Sequence, residues 1–174
     1  MTATTIGPDG QYEPRERQQA PKRQLIRTAE ELVKALEVEP YNVALAMFRI
    51  NRFGGQVHDC EVMGHSLRVH NHLPFAATNV ARTWALLHDA HEVITGDLVR
   101  PYKSVRLSRG QAEIDAAIQA RFCPSITGDD IEMVRAADVA VGDDELRAWE
   151  RREPLLKRTL SNWVTLFRES QRAT

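Results

Sequence analysis

Ala76-Ala77-Thr78-Asn79-Val80-Ala81-Arg82-Thr83-Trp84-Ala85-Leu86-Leu87-His88-Asp89-Ala90-His91-Glu92-Val93 decides the class of fold. Val80, Trp84, Leu87 and Ala90 recur at intervals of three and four, which makes one apolar stripe on an α-helix. The stretch follows Pro74 and leads into Thr95-Gly96-Asp97, where Gly96 suits a left-handed C-terminal cap. The spacing therefore predicts a helix over roughly 76–93.

The same signals recur on both sides of it. Thr28-Ala29-Glu30-Glu31 has capping-box spacing and opens a helix carrying Leu32, Val33 and Leu36. Pro40 starts the next, through Val43, Ala44, Met47 and Phe48. Gly54-Gly55 marks a loop, and a helix follows from about Glu61 to Leu73. Beyond a loop over 98–107, Ser108 or Gly110 leads into a helix with Ile114, Ala117, Ile118 and Phe122. Asp129-Asp130 suits the positive end of another, which Gly142 ends or bends. Pro154 opens a last helix through Leu156, Leu160, Trp163 and Phe167. No strand pattern and no repeat emerges, so the expected fold is all-α, about six or seven helices in a single bundle over 25–174. Residues 1–24, rich in Pro, Gly, Gln and charge, read as a flexible arm or one that packs on a neighbouring subunit.

Composition narrows the class of function. With 174 residues and 43% apolar content, one core is affordable by size. Twenty-three Lys and Arg stand against 24 Asp and Glu, which gives no bulk case for a nucleic-acid polymer as partner. Cys60 and Cys123 do not make a disulfide framework and read as thiols of a reducing compartment. No membrane span or secretory signal is expected, and the cytoplasm of a bacterium or phage-infected host is the default location.

The chemistry gathers at Leu87-His88-Asp89-Ala90-His91-Glu92. Glu92 lies four residues after His88 and three after Asp89, so all three share a helix face. A charged group on a helix whose other side is apolar lies at the core's edge, where a metal offsets its desolvation. His65, mid-helix in Met63-Gly64-His65-Ser66-Leu67, and Asp138, between Ala136-Ala137 and Val139-Ala140-Val141, complete the set. Aspartate is a poor residue for a helix interior. Two imidazoles and two carboxylates suit one divalent Mn, Co, Fe, Ni or Zn ion better than Ca, with Mg as a further candidate.

Gly64-His65-Ser66, Leu87-His88-Asp89 and Ala136-Ala137-Asp138 stand in the order His, His-Asp, Asp. That pattern resembles the HD-domain metal-dependent phosphohydrolase superfamily. Residues 88–103, His-Asp-Ala-x-Glu-x-x-x-Gly-Asp-Leu-x-x-Pro-x-Lys, look like the bacterial 5′-deoxynucleotidases and the small phage deoxynucleoside triphosphohydrolases. The resemblance covers about Ala44 to Ala148. It implies metal ligands His65, His88, Asp89 and Asp138, and catalytic roles for Glu92 at the attacking water and Asp97 near the leaving oxygen and sugar. It also implies substrate contacts from Arg52 and Lys103 at phosphate. Phe53 stands where the family has Trp, and the stretch from Arg52 to His65 is shorter; both touch the place where base and sugar are read. Working as a homo-oligomer, dimer or hexamer, is a further implication, with Trp149, Trp163, Leu160 and Phe167 as interface suspects.

The expected substrate is a small nucleotide, either a 5′-deoxynucleoside monophosphate or a deoxynucleoside triphosphate. A catalytically silent nucleotide-binding or signalling domain is the alternative. Other residues compete. His58 lies in the shortened loop, His70 and His72 read as surface, and His91 reads as exposed or at the pocket mouth. Arg49 is second to Arg52 for phosphate. Asp143-Asp144-Glu145 reads as a solvated charge run, and Arg135 as an alternative partner for Asp138.

Overall fold

A computed structural model describes residues 25–57, 59–99, 102–155 and 159–172. The proposed arm over 1–24 and His58 lie outside them. The described chain is all-helical: α1 (Ala29–Val38), α2 (Pro40–Phe48), α3 (Val62–His72), α4 (Asn79–Leu87), the single turn α5 (Glu92–Thr95), α6 (Val105–Phe122), α7 (Gly128–Glu150) and α8 (Leu160–Arg172). Among the described residues, seven helices of nine residues or more make up the bundle, as the sequence pattern predicts.

Local chemistry sets most of the helix starts. The Thr28 hydroxyl accepts from the Glu31 amide, and Pro40 sits in the first turn of α2. α4 starts later than the apolar pattern suggests, because the Thr78 hydroxyl caps it by accepting from the Ala81 amide at 3.0 Å. α6 begins at Val105, three residues before Ser108, because Ser104 caps it. Thr127 and Asp130 form a capping box at the head of α7. Gly142 does not end α7, which continues to Glu150, and the last helix opens at Leu160 rather than at Pro154.

The main departure is at the end of α4. The helix over 76–93 is not continuous. Ala90, Glu92, Val93 and Ile94 donate three residues back, to Leu87, Asp89, Ala90 and His91. These tight turns interrupt the α-helix between Leu87 and Glu92, and Gly96, at φ +71°, ends α5. The metal-site sequence is thus wound on a tightened segment, which keeps His88, Asp89 and Glu92 on neighbouring faces.

Leu32, Leu36, Met47, Met63, Leu67, Leu86, Leu87 and Ile118 are fully buried. Each such side chain stabilises the fold by about 1.5–3 kcal/mol over leaving it in water. α3 packs against both α4 and α7, and α8 closes on α2 and α4. Trp163 and Phe167 of α8 are buried in this core, with the Trp163 indole donating to the Ser66 hydroxyl at 3.1 Å. They are not free for the subunit interface suggested by their sequence pattern; Trp149, half exposed, still is. No helix among the described residues is long and apolar enough to cross a membrane.

Candidate metal centre

Packing α3 against α4 and α7 brings four of the predicted residues together. His65 comes from mid-α3, His88 and Asp89 from the end of α4, and Asp138 from α7. His65 Nε2 lies 2.9 Å from Asp138 Oδ1 and 4.0 Å from Asp89 Oδ2. His88 Nε2 lies 3.4 Å from Asp89 Oδ2 and 3.9 Å from Asp138 Oδ1. For ligands about 2.1 Å from one ion, separations run from about 3.0 Å at right angles to about 4.2 Å opposite. His65, His88 and Asp89 each offer a ligand atom within 4.8 Å of the others, and Asp138 Oδ1 lies against both imidazoles.

The hydrogen bonds behind the imidazoles support this. His65 Nδ1 meets the Glu145 carboxylate at 3.0 and 3.1 Å, and His88 Nδ1 meets the Ala85 carbonyl at 2.9 Å. Both partners only accept, so Nδ1 carries a proton and Nε2 is the ring atom turned toward the cluster, where that of His65 meets Asp138 Oδ1 at 2.9 Å. His88 Nε2 is buried without a hydrogen-bond partner, as an atom meant for an ion would be.

Electrostatics concentrates negative charge at the same point. Burial would lower His88, but Asp89 and Asp138 outweigh it and hold the imidazolium up to about 9. Burial would raise Asp89, yet His88, His65 and Arg52 keep its carboxyl well below the usual range. Asp138 is also held low, against its burial, by the His65 hydrogen bond and the charge of His88. A site that favours a proton this strongly offers the same field to a divalent cation.

Glu145 is the residue that sequence reading missed. It is 1% exposed, not a member of a solvated charge run, whereas Asp143 and Asp144 are exposed. Besides His65 it takes Arg68 Nε at 2.7 Å and has Arg52 Nε at 3.7 Å. Burial pushes it up, but His65, Arg52 and Arg68 bring it down to about 2. A signal existed: Glu145 is seven residues, two helical turns, after Asp138, and Val134, Ala137 and Val141 bury the same side of α7. Arg135, the suggested rival partner of Asp138, is exposed and pairs with Glu132 instead.

The loop between α2 and α3 brings Arg52 over the carboxylates. The Arg52 amide donates to Cys60 O at 2.8 Å and Val62 N to Ile50 O at 2.9 Å, which pinches the loop at its base. Arg52 Nη1 then sits 3.4 Å from Asp89 Oδ2 and Nη2 3.9 Å from Asp138 Oδ1. With Glu145 Oε2 at 3.7 Å from Nε, the guanidinium faces three carboxylates at the edge of the cluster. Arg49 is exposed. The Phe53 ring lies 5.4 Å from the guanidinium carbon, in a left-handed turn with Gly54. The Gly54 amide donates to Asp97 Oδ2 at 3.2 Å, tying this turn to the chain after α5.

Glu92 is 4% exposed, with Oε2 unpartnered. Burial and the charges of Asp89 and Asp97 push its carboxyl up to about 8, against Arg52 and Lys103. Glu92, Asp97, Arg52 and Lys103 therefore share one electrostatic neighbourhood beside the four-atom cluster. His70 is buried rather than at the surface, while His72 is exposed. His91, expected to be exposed or at the pocket mouth, is also buried and meets Asp115 Oδ1 at 2.8 Å.

Fold and site together define an all-helical protein with buried His, Asp and Glu groups able to hold a metal ion. No family model matches the chain. It is similar to a protein of Rhodobacter capsulatus described as uncharacterized, with 30% identity over 115 residues. That match covers 59% of this chain and 58% of the relative, so the chain spans less than two thirds of the relative's length.

Proposed function

We propose that the protein is a metal-dependent phosphohydrolase of the HD-domain type that acts on small nucleotides, deoxynucleotides first among them. The observation that carries this reading is the convergence of His65 Nε2, His88 Nε2, Asp89 and Asp138, with each imidazole anchored behind by Glu145 or a carbonyl. Held there, a divalent Mn, Co, Fe, Ni, Zn or Mg ion supplies Lewis acidity at a phosphate oxygen.

The rest of the work falls to side chains. Arg52, held beside Asp89 and Asp138, clamps two phosphate oxygens, the arrangement its planar fork favours. Lys103 adds positive charge on the same side. Glu92 in its ionised form accepts the proton of the attacking water; its burial beside Asp89 and Asp97 raises its affinity for that proton. Asp97, fixed by the Gly54 amide, stands by the leaving oxygen and sugar, with Phe53 beside the base. Phosphoryl transfer requires mainly positioning and charge neutralisation, and this inventory provides both.

The test is a product assay with Mn²⁺ or Co²⁺ on ribo- and deoxynucleoside mono- and triphosphates. Nucleoside plus phosphate defines a 5′-nucleotidase; nucleoside plus triphosphate defines a triphosphohydrolase. Glu92→Ala should abolish turnover while the cation at His65, His88, Asp89 and Asp138 stays bound. Absence of turnover with every nucleotide and metal would refute the proposal and favour a silent binding domain.

A further inference from the structure

A second group of ligand atoms adjoins the first. One atom from each of Asp89, His91 and Glu92 lies within 4.8 Å of the others. His91 is 7% exposed and Glu92 4% exposed, and His91 Nε2 and Glu92 Oε2 are both buried without a hydrogen-bond partner. Two unsatisfied polar atoms on adjacent residues are rare in a folded core, where such groups are almost always paired.

His91 is also prepared in the manner of His65. Asp115 of α6 meets His91 Nδ1 at 2.8 Å, as Glu145 of α7 meets His65 Nδ1 at 3.0 Å. A carboxylate behind Nδ1 fixes the tautomer that leaves Nε2 with its lone pair free, the support that metal-binding histidines receive. A histidine serving only to pack would not need both the orienting carboxylate and the vacant Nε2. Asp89 has two carboxylate oxygens. The contacts to His65, His88 and Arg52 all use Oδ2, which leaves Oδ1 for a neighbour.

We propose that Asp89, His91 and Glu92 form a second divalent-cation site, with Asp89 bridging it to the cation held by His65, His88 and Asp138. Two carboxylates and one imidazole make an oxygen-rich set suited to Mn²⁺ or Mg²⁺, with water or a phosphate oxygen in the remaining positions. One Glu92 oxygen in this role leaves the other to accept from water, so its part in hydrolysis stands. The inference deepens the hydrolase reading and rests on it through Asp89.

The test is metal stoichiometry on the full chain. Chelator-stripped protein is dialysed against Mn²⁺, its metal content measured by plasma spectrometry, and its electron paramagnetic resonance recorded. Two Mn²⁺ per chain with a spin-coupled signal are expected, and His91→Gln should hold one. Asp115→Asn should still bind two, the second about 10–100-fold more weakly, since that is the usual effect of removing such an orienting group. One Mn²⁺ per wild-type chain, or two in His91→Gln, would overturn the second site and leave the first intact. Less than one would overturn both. If His91→Gln loses its helical circular dichroism, wild-type stoichiometry and the Asp115→Asn affinity decide.

Discussion

Replacing Glu145 by Gln tests whether this buried carboxylate organises the site. Gln keeps the volume and one acceptor oxygen but removes the charge that faces His65, Arg68 and Arg52. Native contacts hold the carboxyl at about 2 rather than its ordinary 4.5. At about 1.4 kcal/mol per pH unit, that gap represents about 3 kcal/mol of metal-free stability. Loss of one partner from a buried charge pair costs a similar 3–5 kcal/mol or so. Because the folded value is the lower one, this contribution is fully present above pH 4.5 and fades as pH falls toward 2. Urea unfolding in chelator should therefore show Glu145→Gln about 3 kcal/mol less stable at pH 7, with the gap narrowing below pH 4.5. Calorimetry should show metal binding weakened about 10–100-fold, through loss of the charged partner that orients His65. Wild-type stability in chelator together with wild-type metal affinity would refute the reasoning.

Gly110 lies inside α6 with nothing within 4 Å of where a Cβ would stand. Gly110→Ala should stabilise the protein by about 0.5–1 kcal/mol, or about 1–4 °C in midpoint; a lower midpoint would contradict the open position. Asp130 accepts from the Thr127 amide, the Thr127 hydroxyl and the Thr78 hydroxyl, which hold its carboxyl below 3.8 despite burial. Asp130→Ala should cost about 1 kcal/mol at pH 7, and because the folded value is depressed the cost should shrink as pH falls below 3.8; a pH-independent difference would count against the cap. Burial pushes the thiols of both Cys60 and Cys123 up to about 12. Alkylation at pH 8 should label neither in the native chain and both in denaturant, and rapid native labelling would contradict their burial.

Helix identity was legible because apolar spacing and capping residues agree over most of the chain: Thr28, Pro40 and the α3 boundaries fall where expected. The end of α4 was not, because period-3.6 patterning cannot distinguish a continuous helix from one tightened into three-residue turns. The four proposed metal ligands could be picked from their types and settings, and the fold brings all four together. The two orienting carboxylates could not be read so easily. Glu145 hides in an acidic run whose other members are exposed, and only counting two turns from Asp138 sets it apart. His91 depends on Asp115, 24 residues away on another helix, a contact that no local pattern encodes.

The central claim is that His65, His88, Asp89 and Asp138 hold one divalent cation. A crystal grown with Mn²⁺ and measured at the manganese edge tests it directly. The account predicts a strong anomalous peak about 2.0–2.3 Å from His65 Nε2, His88 Nε2 and a carboxylate oxygen of each aspartate. No peak there, with Arg52 still against Asp89 and Asp138, would contradict it.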